Sequence, residues 1–218
     1  SMISVPDKTI YTLIHRYTRE AGVRSLERTL HSLARKVARE LGSTKKKSIS
    51  DDVKKARAYL GPEEYDSPML EDEDQIGLAT GLAWTSVGGE VLFIEVALTE
   101  GKGLVKLTGK LGDVMKESAQ TALTHVKANA KSYGLSPTTM NKTDVHIHFP
   151  EGAVPKDGPS AGITITTAIV SAFLKKPVRR LVAMTGEVTL RGRVMRIGGL
   201  KEKVLAALQA GCTTVLIP

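Results

Sequence analysis

Apolar residues recur at helical spacing through the first third of the chain. Ile10, Leu13, Ile14 and Tyr17 fall at i, i+3, i+4 and i+7, which places them on one face of a helix. A second stripe of this kind runs over residues 26–41 and a third over residues 53–60. The residues predicted to begin or end these helices are Asp7, Gly22, Gly42, Ser50 and Gly61. The pattern predicts a small helical bundle over residues 1–65.

Alternating and β-branched segments replace this pattern after residue 76. Strands are predicted at 77–86, 90–98, 104–109, 145–149, 181–185, 187–197 and 213–217. Gly88-Gly89 is the predicted turn between the first two strands. Helices are predicted at 113–133, from Ser160 onward and at 200–210. The fold class is therefore α+β, a small N-terminal helical bundle followed by an α+β domain with β-hairpins and flanking helices.

The segment 162–170, GITITTAIV, fits either a helix or a strand. Its β-branched residues favour a strand, whereas the Gly/Pro-rich loop before it and the apolar residues up to Leu174 favour a helix. We interpret it as a helix.

An acidic stretch separates the two patterns. Residues 66–74 contain five acids and no base, and prolines lie on either side of the start of this stretch. We predict a linker at 66–75 between a helical domain, 1–65, and an α+β domain, 76–218.

Composition narrows the function classes. The net charge of +8 fits DNA or another polyanion as a partner, although ordinary solvated surface explains it as well. No apolar run approaches the roughly 18 residues that a membrane span needs, so no membrane is expected as a partner. The single cysteine, Cys212, suits a reducing compartment and is interpreted as a small core residue.

The loop PKDGPSAG, residues 155–162, holds a candidate nucleophile. Ser160 stands where a Gly/Pro-rich loop enters a helix, and such a position offers free backbone N–H groups that can stabilise an oxyanion. The alternative is that Ser160 only caps the helix. The loop by itself does not decide between them.

A base for this serine is less evident. His146 and His148 lie two apart on a predicted strand and lack an evident third ligand for a metal, so a structural role is favoured. In IGGLKEKVLAALQAG, Lys203 shares a helical face with small alanines and Lys201 shares one with larger apolar residues. A lysine base must be buried to lose its charge near neutral pH. Helical geometry does not choose between the two lysines, and both could be solvated.

Three segments in this order, PKDGPSAG, AMTGEVTLRGRV and IGGLKEKVLAA, resemble the Lon protease family. LTGKLGDVMKESAQTAL and HIHFPEG are also similar to the family's protease domain, and YTREAGVRSLER is similar to the helical subdomain of its ATPase module. The resemblance covers nearly the whole chain.

The resemblance implies a serine endopeptidase with a Ser-Lys dyad that degrades unfolded or damaged proteins. It implies Ser160 as nucleophile, Lys203 as general base and Thr185 as the threonine near the lysine. Further residues carried over by it are Asp157 and Glu95 as supporting residues, Trp84 in the substrate groove and Arg24 as a nucleotide sensor. Trp84 as a core aromatic and Arg24 as a surface arginine are the alternatives.

The intact protein is expected to use ATP with Mg²⁺ as a homohexamer, since the family does so. GLVKLTGKL departs from the phosphate-binding loop in spacing and in its last residue, so this chain alone is expected to need no cofactor, and no metal site is predicted. Expected partners are unfolded proteins and peptides, and DNA is the alternative, bound through residues 1–65. A cytoplasmic location is favoured over a mitochondrial matrix, and the protease domain is expected to continue beyond residue 218.

Overall fold

The computed structural model describes residues 3–20, 22–44, 49–50, 53–65, 70–150 and 156–218. The chain forms two compact units, Ser1–Met69 and Leu70–Pro218. The predicted linker begins at 66–69, which lie outside the described residues.

The first unit is helical, as predicted. Its elements are β1 (Ile3–Ser4), α1 (Asp7–Tyr17), α2 (Arg24–Ser43), β2 (Ile49–Ser50) and α3 (Val53–Leu60), with β1 and β2 paired in parallel. Leu13, Tyr17, Leu33 and Ala56 form its core, so the predicted apolar stripes face one another.

Two helix boundaries in this unit differ from prediction. Helix α1 ends at Tyr17 instead of Gly22 because Thr18 adopts an extended conformation. The Glu20 carboxylate then accepts hydrogen bonds from the N–H groups of Ser25 and Leu26 at 2.8 and 2.9 Å, which caps α2 and lowers the pKa of Glu20. Ser50, the predicted cap of α3, lies in β2, and residues 51–52 are outside the described residues.

The second unit is built on a mixed sheet. Its strands are β3 (Leu78–Thr85), β4 (Gly88–Glu100), β5 (Val105–Thr108), β6 (Thr143–His148), β7 (Val182–Met184), β8 (Glu187–Val188), β9 (Val194–Met195) and β10 (Thr214–Leu216). Six of them form one sheet in the order β10-β7-β3-β4-β6-β5, and β8 and β9 form a separate hairpin. Strands β3 and β7 run parallel, and so do β7 and β10. The polypeptide segments that follow β3, β7 and β10 therefore leave the sheet at the same end.

Helices cover both faces of this sheet. They are α4 (Asp113–Ala128), α5 (Pro137–Asn141), α6 (Gly162–Leu174) and α7 (Leu200–Gln209), with 3₁₀ turns at Ala130–Tyr133 and Pro159–Ala161. Leu92, Ile94 and Val96 of β4 pack in one core with α4 and α6. Alternate residues of a strand point to opposite faces, and Val91 accordingly packs in a second core with Ala207 of α7. Helices α6 and α7 thus lie on opposite faces of the sheet.

The helix predicted after Ser160 is confirmed as α6, and the strand alternative for 162–170 is wrong. Three details differ. The β3–β4 turn is Ser86-Val87, because Thr85 pairs with Gly88 and both predicted turn glycines belong to β4. The helix predicted at 113–133 becomes 3₁₀ after Ala128, and the strand predicted at 187–197 is the β8–β9 hairpin.

Candidate active site

Ser160 lies in the 3₁₀ turn that leads into α6, and its side chain is half-buried. Its backbone carbonyl accepts hydrogen bonds from Gly186 N at 2.8 Å and from Thr185 Oγ1 at 3.3 Å. Gly186 O in turn accepts from Ile163 N at 3.0 Å, in the first turn of α6. Residues 185–186, which follow β7, are therefore hydrogen-bonded both to Ser160 itself and to the first turn of α6 after it.

Lys203 is buried on α7 with only 3% of its surface exposed. It shares the inner face of the helix with Ala206 and Ala207, whereas Lys201 is exposed on the outer face. Of the two lysines that helical geometry left open, Lys203 is the buried one and Lys201 the exposed one. Small alanines on the inner face let α7 approach the sheet closely enough to enclose the lysine stem.

The Lys203 amine contacts Thr185. Nζ donates to Thr185 Oγ1 at 3.3 Å, and Thr185 is itself 1% exposed. Within the described part of the chain, no carboxylate lies within 4.0 Å of Nζ. Burial lowers the pKa of Lys203, because the ammonium loses its hydration without gaining a counter-ion.

Thr185 is the common partner of the two candidate catalytic residues. Its hydroxyl receives a hydrogen bond from Lys203 and donates one to the Ser160 carbonyl. Ser160 Oγ and Lys203 Nζ are not within 3.5 Å of each other in a hydrogen bond, although the same hydroxyl ties both residues to one point. Thr185 is thus the contact through which the Ser160 segment and the Lys203 amine are linked.

Asp157 anchors the loop before Ser160. Its Oδ1 accepts from Met115 N at 3.0 Å, in the first turn of α4, and from Gly158 N at 2.9 Å. Gly112 precedes α4 without a capping side chain, so Asp157 supplies the cap from elsewhere in the chain. Ser118 of α4 adds a hydrogen bond to Pro159 O at 3.2 Å. Asp157 is therefore placed to hold the loop, and no ion pair joins it to Lys203.

Trp84 and Glu95 lie elsewhere on the sheet. Trp84 is 59% exposed, which excludes the core-aromatic alternative. Its side chain lies against Gly199, the N-cap residue that precedes α7. Glu95 is exposed in the middle of β4 opposite His148 and makes no hydrogen bond or ion pair with Ser160, Thr185 or Lys203. Its supporting role stays a prediction.

The histidines have structural partners. Thr108 Oγ1 lies between His146 Nε2 at 2.9 Å and His148 Nδ1 at 2.7 Å. In the part of the chain that the structure describes, no group of three or more His, Cys, Asp or Glu side chains could hold a metal ion. Cys212 is buried in the core beneath α7, in keeping with its interpretation as a core residue.

Sequence reasoning missed Gly186 and Gly89. Gly186 braces the Ser160 carbonyl, and it directly follows Thr185 in the motif that carried the resemblance. Gly89 lies against the Glu202 carbonyl and lets α7 approach the hairpin. Only the fold shows this second contact, because nothing in the sequence near Gly89 points to α7.

Comparison with known proteins identifies both parts of the chain. Residues 50–218 match the family model for the Lon protease (S16) C-terminal proteolytic domain. The chain belongs to the Lon protease family. Residues 1–49 match the Lon protease AAA+ ATPase lid domain. The family descriptions thus divide the chain at 49/50 and the compact units at 69/70, so the domain boundary at 65 stays a prediction.

Bacterial relatives carry the same name. The chain is 55% identical over 216 residues to Lon protease of Heliobacterium modesticaldum and 54% identical over 216 residues to Lon protease 1 of Myxococcus xanthus. Each alignment covers 99% of this chain but only 27% and 26% of these relatives. The chain therefore spans about a quarter of the length of the Lon proteases it matches.

These matches assign residues 50–218 to a peptidase domain and give no support to the alternative of a DNA- or polyanion-binding module in residues 1–65. Within the described residues, none of the helices has the length and apolar character of a membrane span.

Proposed function

We propose that this chain is the lid and protease part of an ATP-dependent serine endopeptidase, with Ser160 as nucleophile and Lys203 as general base. The observation that carries the proposal is the buried Lys203 amine, held by Thr185 next to the Ser160 segment with no carboxylate close to it. If Ser160 only capped α6, the site would not need a buried lysine with a lowered pKa on α7.

The hydrogen bonds of Lys203 are compatible with a neutral amine that keeps its lone pair for the serine. A neutral amine has two N–H donors and one lone pair. One donor goes to Thr185 Oγ1, whose own proton goes to the Ser160 carbonyl. The proposed mechanism requires the Ser160 O–H to reach the lone pair of Lys203, and the shared contact with Thr185 supports this approach. Because burial lowers the pKa of Lys203, the neutral form is available at lower pH than for a solvated lysine.

The reaction follows from this pair. Lys203 Nζ takes the Ser160 proton while Oγ attacks the scissile carbonyl, and backbone N–H groups of the loop and helix start stabilise the oxyanion. The Lys203 ammonium then gives its proton to the leaving amine, which leaves an acyl-enzyme on Ser160. A water molecule, deprotonated by the same amine, hydrolyses the ester and restores both side chains.

The intact protein extends this activity. We propose that it uses ATP with Mg²⁺ as cofactor, degrades unfolded proteins and works as a homohexamer in the cytoplasm. The match of residues 1–49 to an AAA+ ATPase lid domain supports the ATPase part of this proposal. Arg24 begins α2 with an exposed side chain, so its guanidinium fits a contact with a nucleotide phosphate bound by the rest of the ATPase module. The lid alone holds no phosphate-binding loop, so nucleotide binding requires that other part.

The test is cleavage of an unfolded protein and of a short fluorogenic peptide by the full-length protein with ATP. Ser160→Ala and Lys203→Met should each lower kcat by at least about 10³-fold, the scale on which removal of a nucleophile or its base acts. The matched controls are Ser132→Ala and Lys201→Met, which change exposed residues of the same type. Retention of cleavage by Ser160→Ala would refute the proposal.

A further inference from the structure

The tip of the β8–β9 hairpin, residues 189–193, is hydrogen-bonded to a single histidine, His125. Inside the tip, Thr189 N donates to Arg193 O, Gly192 N donates to Thr189 O, and Arg193 N donates to Thr189 Oγ1. In the described part of the chain, the only hydrogen bond from this tip to another element joins Leu190 O to His125 Nδ1 on α4, at 3.1 Å. The Leu190 side chain is 58% exposed, so burial of that side chain does not hold the tip.

The surroundings of His125 fix how it bonds. The residue is buried, with Nε2 2.9 Å from Tyr133 Oη. Leu190 O can only accept, so Nδ1 must carry a proton, and in the neutral ring Nε2 then accepts from the Tyr133 hydroxyl. The Asn129 amide nitrogen donates to the His125 backbone carbonyl at 2.9 Å and also lies 3.2 Å from Nδ1, slightly farther than Leu190 O at 3.1 Å. With its bond to the backbone carbonyl made, the Asn129 amide leaves the Nδ1 proton directed at Leu190 O.

Gly192 completes the contact. Its φ is +81°, and a Cβ at this position would lie 2.5 Å from His125 Cε1. The imidazole ring therefore occupies the space that any side chain at 192 would take. The hairpin tip therefore contacts the His125 ring at two points. The Leu190 carbonyl bonds to Nδ1, and Gly192 leaves room for the ring because it has no side chain.

The root of the same hairpin reaches the nucleophile. Gly186 immediately precedes β8, and its N–H donates to the Ser160 carbonyl at 2.8 Å. Gly162, at the start of α6, lies against the backbone of Val188 in β8. The root of the hairpin is therefore in direct contact with the backbone on both sides of Ser160.

Helix α4 joins both ends of this arrangement. Its first turn holds the loop before Ser160 through Asp157, and His125 near its last turn holds the hairpin tip. Ten residues separate Met115 from His125, which corresponds to roughly 15 Å along a rigid helix. We propose that His125 is a positioning residue, which fixes the β8–β9 hairpin to α4 and through Gly186 keeps Ser160 in its reactive position. The proposal rests on the proposed function for its effect on catalysis.

The test uses the full-length protein and the variant His125→Phe, which keeps an aromatic ring but removes both nitrogens. We expect kcat for peptide cleavage to fall about fivefold to tenfold, the factor that one buried hydrogen bond is typically worth. KM should stay within about twofold, because the substrate-binding surface is unchanged. Hydrogen exchange of the Gly186 and Gly192 amides should become faster while the melting temperature stays close to that of the wild type.

Two companion variants separate this role from simple core packing. Tyr133→Phe removes the partner of Nε2 but leaves the bond to Leu190, so kcat and hairpin exchange should stay near the wild type. Thr124→Val changes the exposed neighbour on α4 and is the matched control. Equal losses of kcat and of melting temperature in the His125 and Tyr133 variants would show a packing role and overturn the proposal. Unchanged kcat and hairpin exchange in His125→Phe would also overturn it.

Hydrogen exchange keeps this test separate from the identity of the nucleophile. It is measured in a Ser160→Ala background, where no cleavage chemistry is needed. Retained cleavage by Ser160→Ala would refute the Ser-Lys proposal, whereas unchanged hairpin exchange in His125→Phe would refute the positioning role alone.

Discussion

Gly89→Ala should displace Lys203 without altering its side chain, and so test how strongly catalysis depends on the position of the amine. Gly89 lies in β4 directly against the backbone carbonyl of Glu202, the residue before Lys203 on α7. An added Cβ would fall far inside the contact distance of that carbonyl and 3.0 Å from Ala206 Cβ. Because the closest atom belongs to the backbone, either α7 or the β3–β4 hairpin must move by on the order of 1 Å. A displacement of that size in an active site can lower the rate by about 10²-fold.

The expected result is a fall in kcat of about a hundredfold, which corresponds to roughly 2.7 kcal/mol of transition-state stabilisation. The assay is cleavage of a short peptide by the full-length protein, with kcat corrected for the folded fraction. Gly88→Ala is the matched control, because its Cβ meets no atom within 4 Å while its φ of +129° strains the backbone. It should lower the melting temperature and keep kcat. Wild-type kcat in folded Gly89→Ala would refute the argument that α7 must sit this close to the hairpin.

Two further predictions concern the Lys203 environment. Thr185→Val removes the hydroxyl that orients Nζ, so kcat should fall about tenfold and the acid limb of the pH–rate profile, where the base loses its proton, should shift, as measured by peptide cleavage across pH. Lys203→Met should raise the melting temperature near pH 7 while abolishing cleavage, because burial disfavours the ammonium. The folded-state pKa of Lys203 lies below the unfolded value of about 10.4, so between the two the unfolded state binds more protons. Wild-type stability therefore rises with pH across this window, and the advantage of Lys203→Met in thermal melts should shrink as pH approaches the unfolded value. A melting-temperature difference that does not change with pH would contradict this.

Local pattern was enough to predict the elements. The stripe from Ile10 to Tyr17 and the helix after Ser160 are both present, because each depends on neighbours within a few turns. The errors fall where tertiary pairing overrides local preference. Gly88 and Gly89 have the composition of a hairpin turn, yet pairing of Thr85 with Gly88 moves the turn two residues earlier.

The candidate site depended on contacts that no local pattern contains. Lys201 and Lys203 both lie near apolar residues on a helical wheel, and only the packing of α7 on β3 and β4 decides which one is buried. The bridge through Thr185 requires β7 to run parallel to β3, a pairing between residues about a hundred positions apart in sequence. The resemblance to the family supplied these roles in advance, whereas the residues alone left them open.

A histidine base is commonly supported by a carboxylate partner, whereas a lysine base works better without one. An acid close to Nζ would favour the ammonium and raise the pKa, so a site of this kind works only if nearby acids are kept away. Asp157 is the acid nearest to Ser160 along the described chain, and its carboxylate is bonded to Met115 N and Gly158 N. By capping α4, Asp157 fixes the nucleophile loop, and its Oδ1 is occupied by two backbone N–H groups. The lowered pKa of Lys203 comes from its burial on the inner face of α7, in a site where no described carboxylate lies within 4.0 Å of Nζ.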